Sequence, residues 1–263
     1  MHKLARPAGG ARAADDQWAD VIRMAVAQGR PRERAELLNL LTASSDKRVH
    51  LLAMACLEHA TELDPVVRRR VQEAAATLLP PRGDAEVKEL AQIGPLILEL
   101  LPGPQALSDD EAEAVTATAA LVGTDAAVPV LARYRNHSAP GVRINLMRVW
   151  NLFDAEVYAD EVMAHVDTHD LFFFATSPSQ VRALPRLGSR TRIGVTGDHV
   201  PADILRALPQ RVEYLGFYEN TLLTDLRPFA SLPSVRNMNL RACRSSRCCF
   251  PPHGSLMWYA HPR

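Results

Sequence analysis

Tyr214-Leu215-Gly216-Phe217-Tyr218-Glu219-Asn220 sets two apolar residues, Leu215 and Phe217, one position apart and puts an asparagine three positions after the second. Apolar residues that alternate in this way line one face of a β-strand. The same step recurs on both sides of this stretch. Upstream stand Ile193-Gly194-Val195 followed by Asp198, and Phe172-Phe173-Phe174 followed by Ser177; downstream stands Met238-Asn239-Leu240 followed by Cys243. From Phe172 to Ile193, Leu215 and Met238 the spacings are 21, 22 and 23 residues.

A period of about 20–29 residues carrying an L-x-L-x-x-N/C step is the signature of leucine-rich repeats, in which each unit adds one short strand to a curved parallel sheet. The step residues point inward. The small polar residue turns inward after them and hydrogen-bonds loop backbone that would otherwise be buried without a partner. Short return helices are expected at 178–184 and 201–208, with a third return from Leu222 through Pro233. In the first unit this reading turns Phe172 and Phe174 inward and Leu171, Phe173 and Ala175 outward. Apolar outward positions there imply docking against the preceding helices and one continuous rod.

Before residue 167 the apolar period is helical. Trp18, Val21, Ile22, Ala25 and Val26, then Leu37, Leu38 and Leu41, fit two helices separated at Gly29 to Pro31, since glycine stops a helix and proline is tolerated at its first turn. Asp64-Pro65-Val66-Val67-Arg68 aligns with Ala139-Pro140-Gly141-Val142-Arg143 at an offset of 75 residues. At that offset Val67, Val71, Ala74, Ala75 and Leu78 fall on Val142, Leu146, Val149, Trp150 and Phe153, one buried face of a helix. The offset accommodates about two units of HEAT or armadillo size. Further helices are expected near 84–100, 108–121 and 125–134. Ser108 and Glu111 form a capping box, which assigns the Ser108–Glu111 acids to helix capping and not to catalysis.

The expected fold class is therefore mainly α: a HEAT- or armadillo-like α-solenoid followed by a short α/β leucine-rich-repeat solenoid. Residues 1–15 read as a disordered segment, 16–166 as helical repeats, 167–240 as leucine-rich repeats and 241–263 as an irregular Arg/Cys-rich tail. Cys248-Cys249-Phe250-Pro251-Pro252 does not continue the repeat, so the tail reads as a truncated or out-of-frame end. It leaves the strand near Met238 to Leu240 as an exposed edge, prone to aggregation or to borrowing a cap.

The formal charge is zero, with 30 basic and 30 acidic residues. The tail carries four arginines and no acid, leaving 26 basic against 30 acidic residues elsewhere, without the basic excess of a phosphate-binding footprint. The lysines are Lys3, Lys47 and Lys88, and none lies in a P-loop. No signal-peptide core or membrane-spanning apolar run is visible. A cytoplasmic protein is expected, with no nucleic acid or membrane as partner and no cofactor.

The strongest binding surface is the outward face of the repeats. Arg192, Gly194 and Thr196, then Tyr214, Gly216 and Tyr218, then Asn237, Asn239 and Arg241 occupy it. Tyrosine, arginine and asparagine combine contact area with hydrogen bonding, which suits partner recognition; an ordinary solvated sheet face is the competing reading. His165 and His169, with Asp167 and Asp170 beside them, could share a metal, but the Glu of H-E-x-x-H is missing and the span crosses a helix end. Cys243, Cys248, Cys249 and His253 fit zinc spacing poorly. No G-x-S-x-G and no paired acids in a cleft are recognisable, so no catalytic or metal residue is assigned.

Trp18 through Ala25, His50 through Glu58, Leu63-Asp64-Pro65, and Leu100-Leu101-Pro102-Gly103-Pro104 resemble the region that follows the nucleotidase in actinobacterial NACHT proteins. These are STAND-class signalling ATPases related in design to NOD-like receptors. The resemblance covers about residues 16 to 240 and is generic in the leucine-rich part. In that family the P-loop and Mg²⁺-binding acids lie upstream, so no ATPase residue carries over to this sequence. The resemblance implies a sensor half, in which the repeats recognise a trigger and restrain or release an ATP-driven switch. The partner is then a NACHT ATPase module. Two other readings stand beside it: a free-standing adaptor that binds a protein through the concave sheet, and a metal- or nucleic-acid-binding module built on the Arg/Cys tail.

Overall fold

The computed structural model describes residues 8–60, 62–167, 171–188, 190–230, 232–243 and 257–261, with 8–17, 230 and 257–261 described as backbone alone. The chain is mainly helical with a small parallel sheet, and it forms two compact units, Met1–Pro102 and Gly103–Arg263. The division thus falls inside the helical segment, well before the change of period near residue 167.

The first unit contains α1 (Ala8–Gln28), α2 (Pro31–Thr42), α3 (Lys47–Cys56), α4 (Pro65–Ala76), α5 (Gly83–Ala91) and α6 (Pro95–Leu100). Helix α1 starts inside the segment expected to be unstructured. The break between α1 and α2 is local chemistry: Pro31 opens α2, and the Glu33 carboxylate accepts the Arg30 N–H at 2.9 Å. Asp46 and Asp64 cap α3 and α4 by accepting the N–H groups of Arg48 and Val66, each at 2.8 Å. Leu38, Leu51, Val71 and Ile97 form the centre of the core. Cys56 is buried among them, and burial pushes its thiol up to about 11.

The second unit begins with α7 (Asp109–Val122), α8 (Val128–Ala132), α9 (Pro140–Arg148) and α10 (Ala155–Tyr158), which runs into a π turn at Ala159–Met163. The capping box is present: the Ser108 hydroxyl accepts the Glu111 N–H, and the Glu111 carboxylate accepts the Ser108 N–H at 3.0 Å. Trp150 and Tyr158 fill the core. The Trp150 indole donates to the Ala155 carbonyl at 3.0 Å and the Tyr158 hydroxyl to the Leu146 carbonyl at 2.9 Å. Burial raises the Tyr158 phenol far above its ordinary range.

The repeat at an offset of 75 residues places one copy in each unit. Val67, Val71 and Ala75 of α4 are buried, as are Val142, Leu146 and Trp150 at the equivalent positions. Both helices open with proline at the first turn. The copies differ at their ends, because α9 stops at Arg148 and Trp150 lies in a tighter 3₁₀ turn.

The rest of the second unit alternates strand and return: β1 (Phe173–Ala175), α11 (Pro178–Ala183), β2 (Arg192–Thr196), α12 (Pro201–Ala207), β3 (Tyr214–Tyr218), α13 (Arg227–Ala230), β4 (Asn237–Arg241) and β5 (Met257–His261). The strands pair in parallel in the order β1-β2-β3-β4-β5. Register is one to one: Ile193, Leu215 and Met238 align in one inward row, and Val195, Phe217 and Leu240 in the next. Phe229 closes this core against Phe217 at 4.9 Å between ring centroids.

Two expectations are corrected. In the first unit of the repeat, Phe173 and Ala175 pair with Ile193 and Val195 and are buried, while Phe174 is exposed. The inward step is therefore shifted by one residue from the Phe172 and Phe174 reading. Three consecutive phenylalanines permit either register, and a one-residue slip exchanges the faces. Neighbouring contacts fix the choice: the Arg190 guanidinium stacks 5.0 Å from the Phe173 ring, and Ser177 beyond the strand accepts the Gln180 N–H to cap α11. The same guanidinium donates to the carbonyls of Met163, Ala164 and Val166 at the end of the π turn, tying β1 to the preceding helix.

The second correction concerns the tail. Met257–His261 pairs with Asn237–Arg241, so the β4 edge is covered by a fifth parallel strand. Trp258 stands 20 residues after Met238 and aligns with it.

Candidate functional site

The register gathers the outward positions of the sheet into rows. Arg192, Tyr214 and Asn237 form one row, Gly194, Gly216 and Asn239 the next, and Thr196, Tyr218 and Arg241 the third. All seven partner-binding residues expected from the sequence, Arg192, Thr196, Tyr214, Tyr218, Asn237, Asn239 and Arg241, thus share one face. Met257, Tyr259 and His261 take the matching register positions on β5.

Glycine at Gly194 and Gly216 leaves a trough across the middle row, and aromatic rings lie in it. A Cβ on Gly194 would stand 2.6 Å from the Phe174 ring, and one on Gly216 would stand 2.6 Å from the Tyr218 ring. Phe174 and Tyr218 pack at 5.6 Å between centroids, and Phe172 meets Tyr214 edge-on at 6.3 Å. The Arg192 guanidinium is 4.6 Å from the Tyr214 ring centroid and 5.9 Å from that of Phe172. Cation–π contact at these distances attracts the guanidinium to the rings, and its N–H groups remain available as donors. Burial raises the Tyr218 phenol, against the opposing pull of the Arg241 charge and a hydrogen bond from Asn239. The Asn239 Oδ1 is shielded from solvent and accepts no hydrogen bond.

Two hollows meet at Phe172. One, of about 330 Å³, lies over the sheet among Arg192, Tyr214, Asn237 and Asn239. The other, of about 440 Å³, lies between α9 and β1, walled by Ile144, Met147, Leu171, Phe172 and Phe174 with Arg148 on its wall. Phe172, Phe174, Ile144 and Met147 were not assigned to the surface from sequence. The alternation read from the sequence turns both phenylalanines inward, and the α9 residues carry no sequence signal that ties them to β1.

A third hollow, of about 590 Å³, separates α11 and α12 on the other side of the sheet, among Pro178, Val181, Arg182, Asp203 and Arg206. Asp203 and Arg206 are paired with each other at 3.1 Å, as expected of a solvated groove between return helices.

The polar residues after each step behave differently from one another. Asn220 is buried; its amide donates to the His199 carbonyl at 3.0 Å and its oxygen accepts the Leu222 N–H at 2.9 Å. Cys243 donates its S–H to the Phe217 carbonyl at 3.4 Å. Asp198 is exposed, because Gly197 at φ +93 turns the chain so that His199 takes the buried place. Asp198 instead accepts both the N–H and the hydroxyl of Thr221 in the next repeat, which lowers its carboxyl below the usual range.

Among the described residues no three His, Cys, Asp or Glu side chains lie close enough to hold a metal. His169, Asp170, Cys248, Cys249 and His253 lie outside the described residues. Among the described residues no helix is long and apolar enough to cross a membrane. No protein-family model, no curated protein and no solved structure matches the chain.

Proposed function

We propose that this chain is a non-catalytic sensing and autoregulatory module of a bacterial NACHT-type signalling ATPase, and that its outward sheet face binds a protein. In this reading the helices are HEAT-like repeats and the sheet is a leucine-rich-repeat array. Support for the array comes from five parallel strands in unbroken register, from the buried step residues, and from Asn220 satisfying loop backbone. The observation that carries the binding role is the aromatic and arginine surface over the glycine trough, where the Arg192 guanidinium lies against the rings of Tyr214 and Phe172. Large, rigid aromatic side chains and arginine dominate the energetics of protein interfaces.

The NACHT assignment rests on the sequence resemblance in the helical part. Its test is turnover: the P-loop module encoded with this chain should associate with it and hydrolyse ATP at a rate that the chain alters. Replacing Tyr214 and Tyr218 together by alanine should abolish a response to the trigger while the protein stays folded. Absence of any association between the two would remove the sensor reading and leave the free-standing adaptor.

A further inference from the structure

The composition of the outward face specifies its ligand more narrowly than protein in general. On β1 to β4 the outward residues include Arg192 and Arg241 and no acid. Arg148 stands on the wall of the adjoining apolar hollow. Elsewhere in this unit Arg143 pairs with Asp167, Arg186 with Asp160 and Glu156, Arg206 with Asp203 and Arg227 with Asp225. Arg148, Arg192 and Arg241 pair with no carboxylate among the described residues. The face therefore offers cations and aromatic surface with no internal anion to neutralise them.

Resting on the protein-binding reading above, we infer that the groove crossing Phe172 takes an acidic segment of a partner protein. A carboxylate docks on Arg192, and a neighbouring apolar side chain fills the hollow between α9 and β1. The two hollows share the Phe172 ring as their common wall, so one segment spans both. Arg192 is suited to the carboxylate because the neighbouring rings hold its guanidinium at the hollow and two of its N–H groups can donate side by side. Ile144, 41 % exposed, and Phe174, 46 % exposed, supply the apolar floor that an anchoring side chain would cover. A nucleic acid fits poorly, because a sheet face with two arginines is far short of a phosphate track.

The test is fluorescence anisotropy of the full chain with a labelled peptide alternating glutamate with leucine and tryptophan. Controls are its glutamine and lysine counterparts and a labelled uridine dodecamer. The acidic peptide should bind saturably and at least about tenfold more tightly than the glutamine peptide, a difference of about 1.4 kcal/mol, and should weaken as salt rises. Arg192→Gln and, separately, Ile144→Asp should each weaken it at least about tenfold. Ile144 is exposed, so its variant keeps the fold, and circular dichroism checks both. Arg192→Lys should fall between wild type and Arg192→Gln. Equal binding of the glutamine peptide, tighter binding of the uridine probe, unchanged affinity in either variant, or no peptide binding at all would each overturn the inference. The broader protein-binding reading would survive those outcomes if cross-linking from the sheet face still captures a protein, which separates the two failures.

Discussion

The Phe174 ring lies so close over Gly194 that a Cβ on the glycine would stand 2.6 Å from both Cδ1 and Cε1. The ring is half exposed, so its position is set by the absence of a side chain beneath it and not by a surrounding core. Glycine in a strand costs stability but marks a place where something must approach the backbone.

Gly194→Ala should push the Phe174 ring off the trough at little cost in stability. Removing glycine from the strand contributes about 0.4–1 kcal/mol by restricting the unfolded chain, which offsets the lost ring packing. The urea midpoint should move by less than about 1 kcal/mol in free energy, while binding through the face weakens, as it should for Phe174→Ala. A loss above about 3 kcal/mol in either variant would mean that the ring is part of the core.

Asn220→Ala should behave oppositely. It leaves the buried His199 carbonyl and the half-buried Leu222 N–H without their partner, at a cost of about 2–3 kcal/mol. Asn237→Ala on the outward face should change stability by less than about 0.5 kcal/mol. Urea unfolding followed through the buried Trp150 indole compares the two, and similar midpoints would contradict the structural role of Asn220.

The Asp198 carboxyl is held below its ordinary value by the two Thr221 donors. Its contribution is therefore complete above the ordinary carboxylate range and is lost as pH falls through the depressed folded-state value. Asp198→Asn keeps an acceptor but no charge. The difference in melting temperature between wild type and variant should be constant above about pH 5 and shrink toward zero in stronger acid. A difference that grows on acidification would have the wrong sign for this link.

The strands of β2 to β4 and the inward role of Leu215 and Phe217 were legible because two-residue alternation recurs at a nearly constant period. The seven outward residues followed from the same alternation. Phe172 to Phe174 defeated it, since three equal residues carry no phase, and the register is set by Arg190 against Phe173 and by the cap at Ser177. The fifth strand was obscured because Cys248-Cys249-Phe250-Pro251-Pro252 resembles no return segment, although Trp258 keeps the spacing. The hollow beside α9 depends on tertiary packing, which neither period reports.

The most direct measurement is site-specific photo-cross-linking in the native host with a benzophenone amino acid placed at Phe174, at Tyr218, and at Val200, which is exposed outside the sheet face. The account predicts one protein captured from both Phe174 and Tyr218, absent from Val200, and carrying a P-loop module. Capture from Val200 alone, or none from either position on the face, would contradict it.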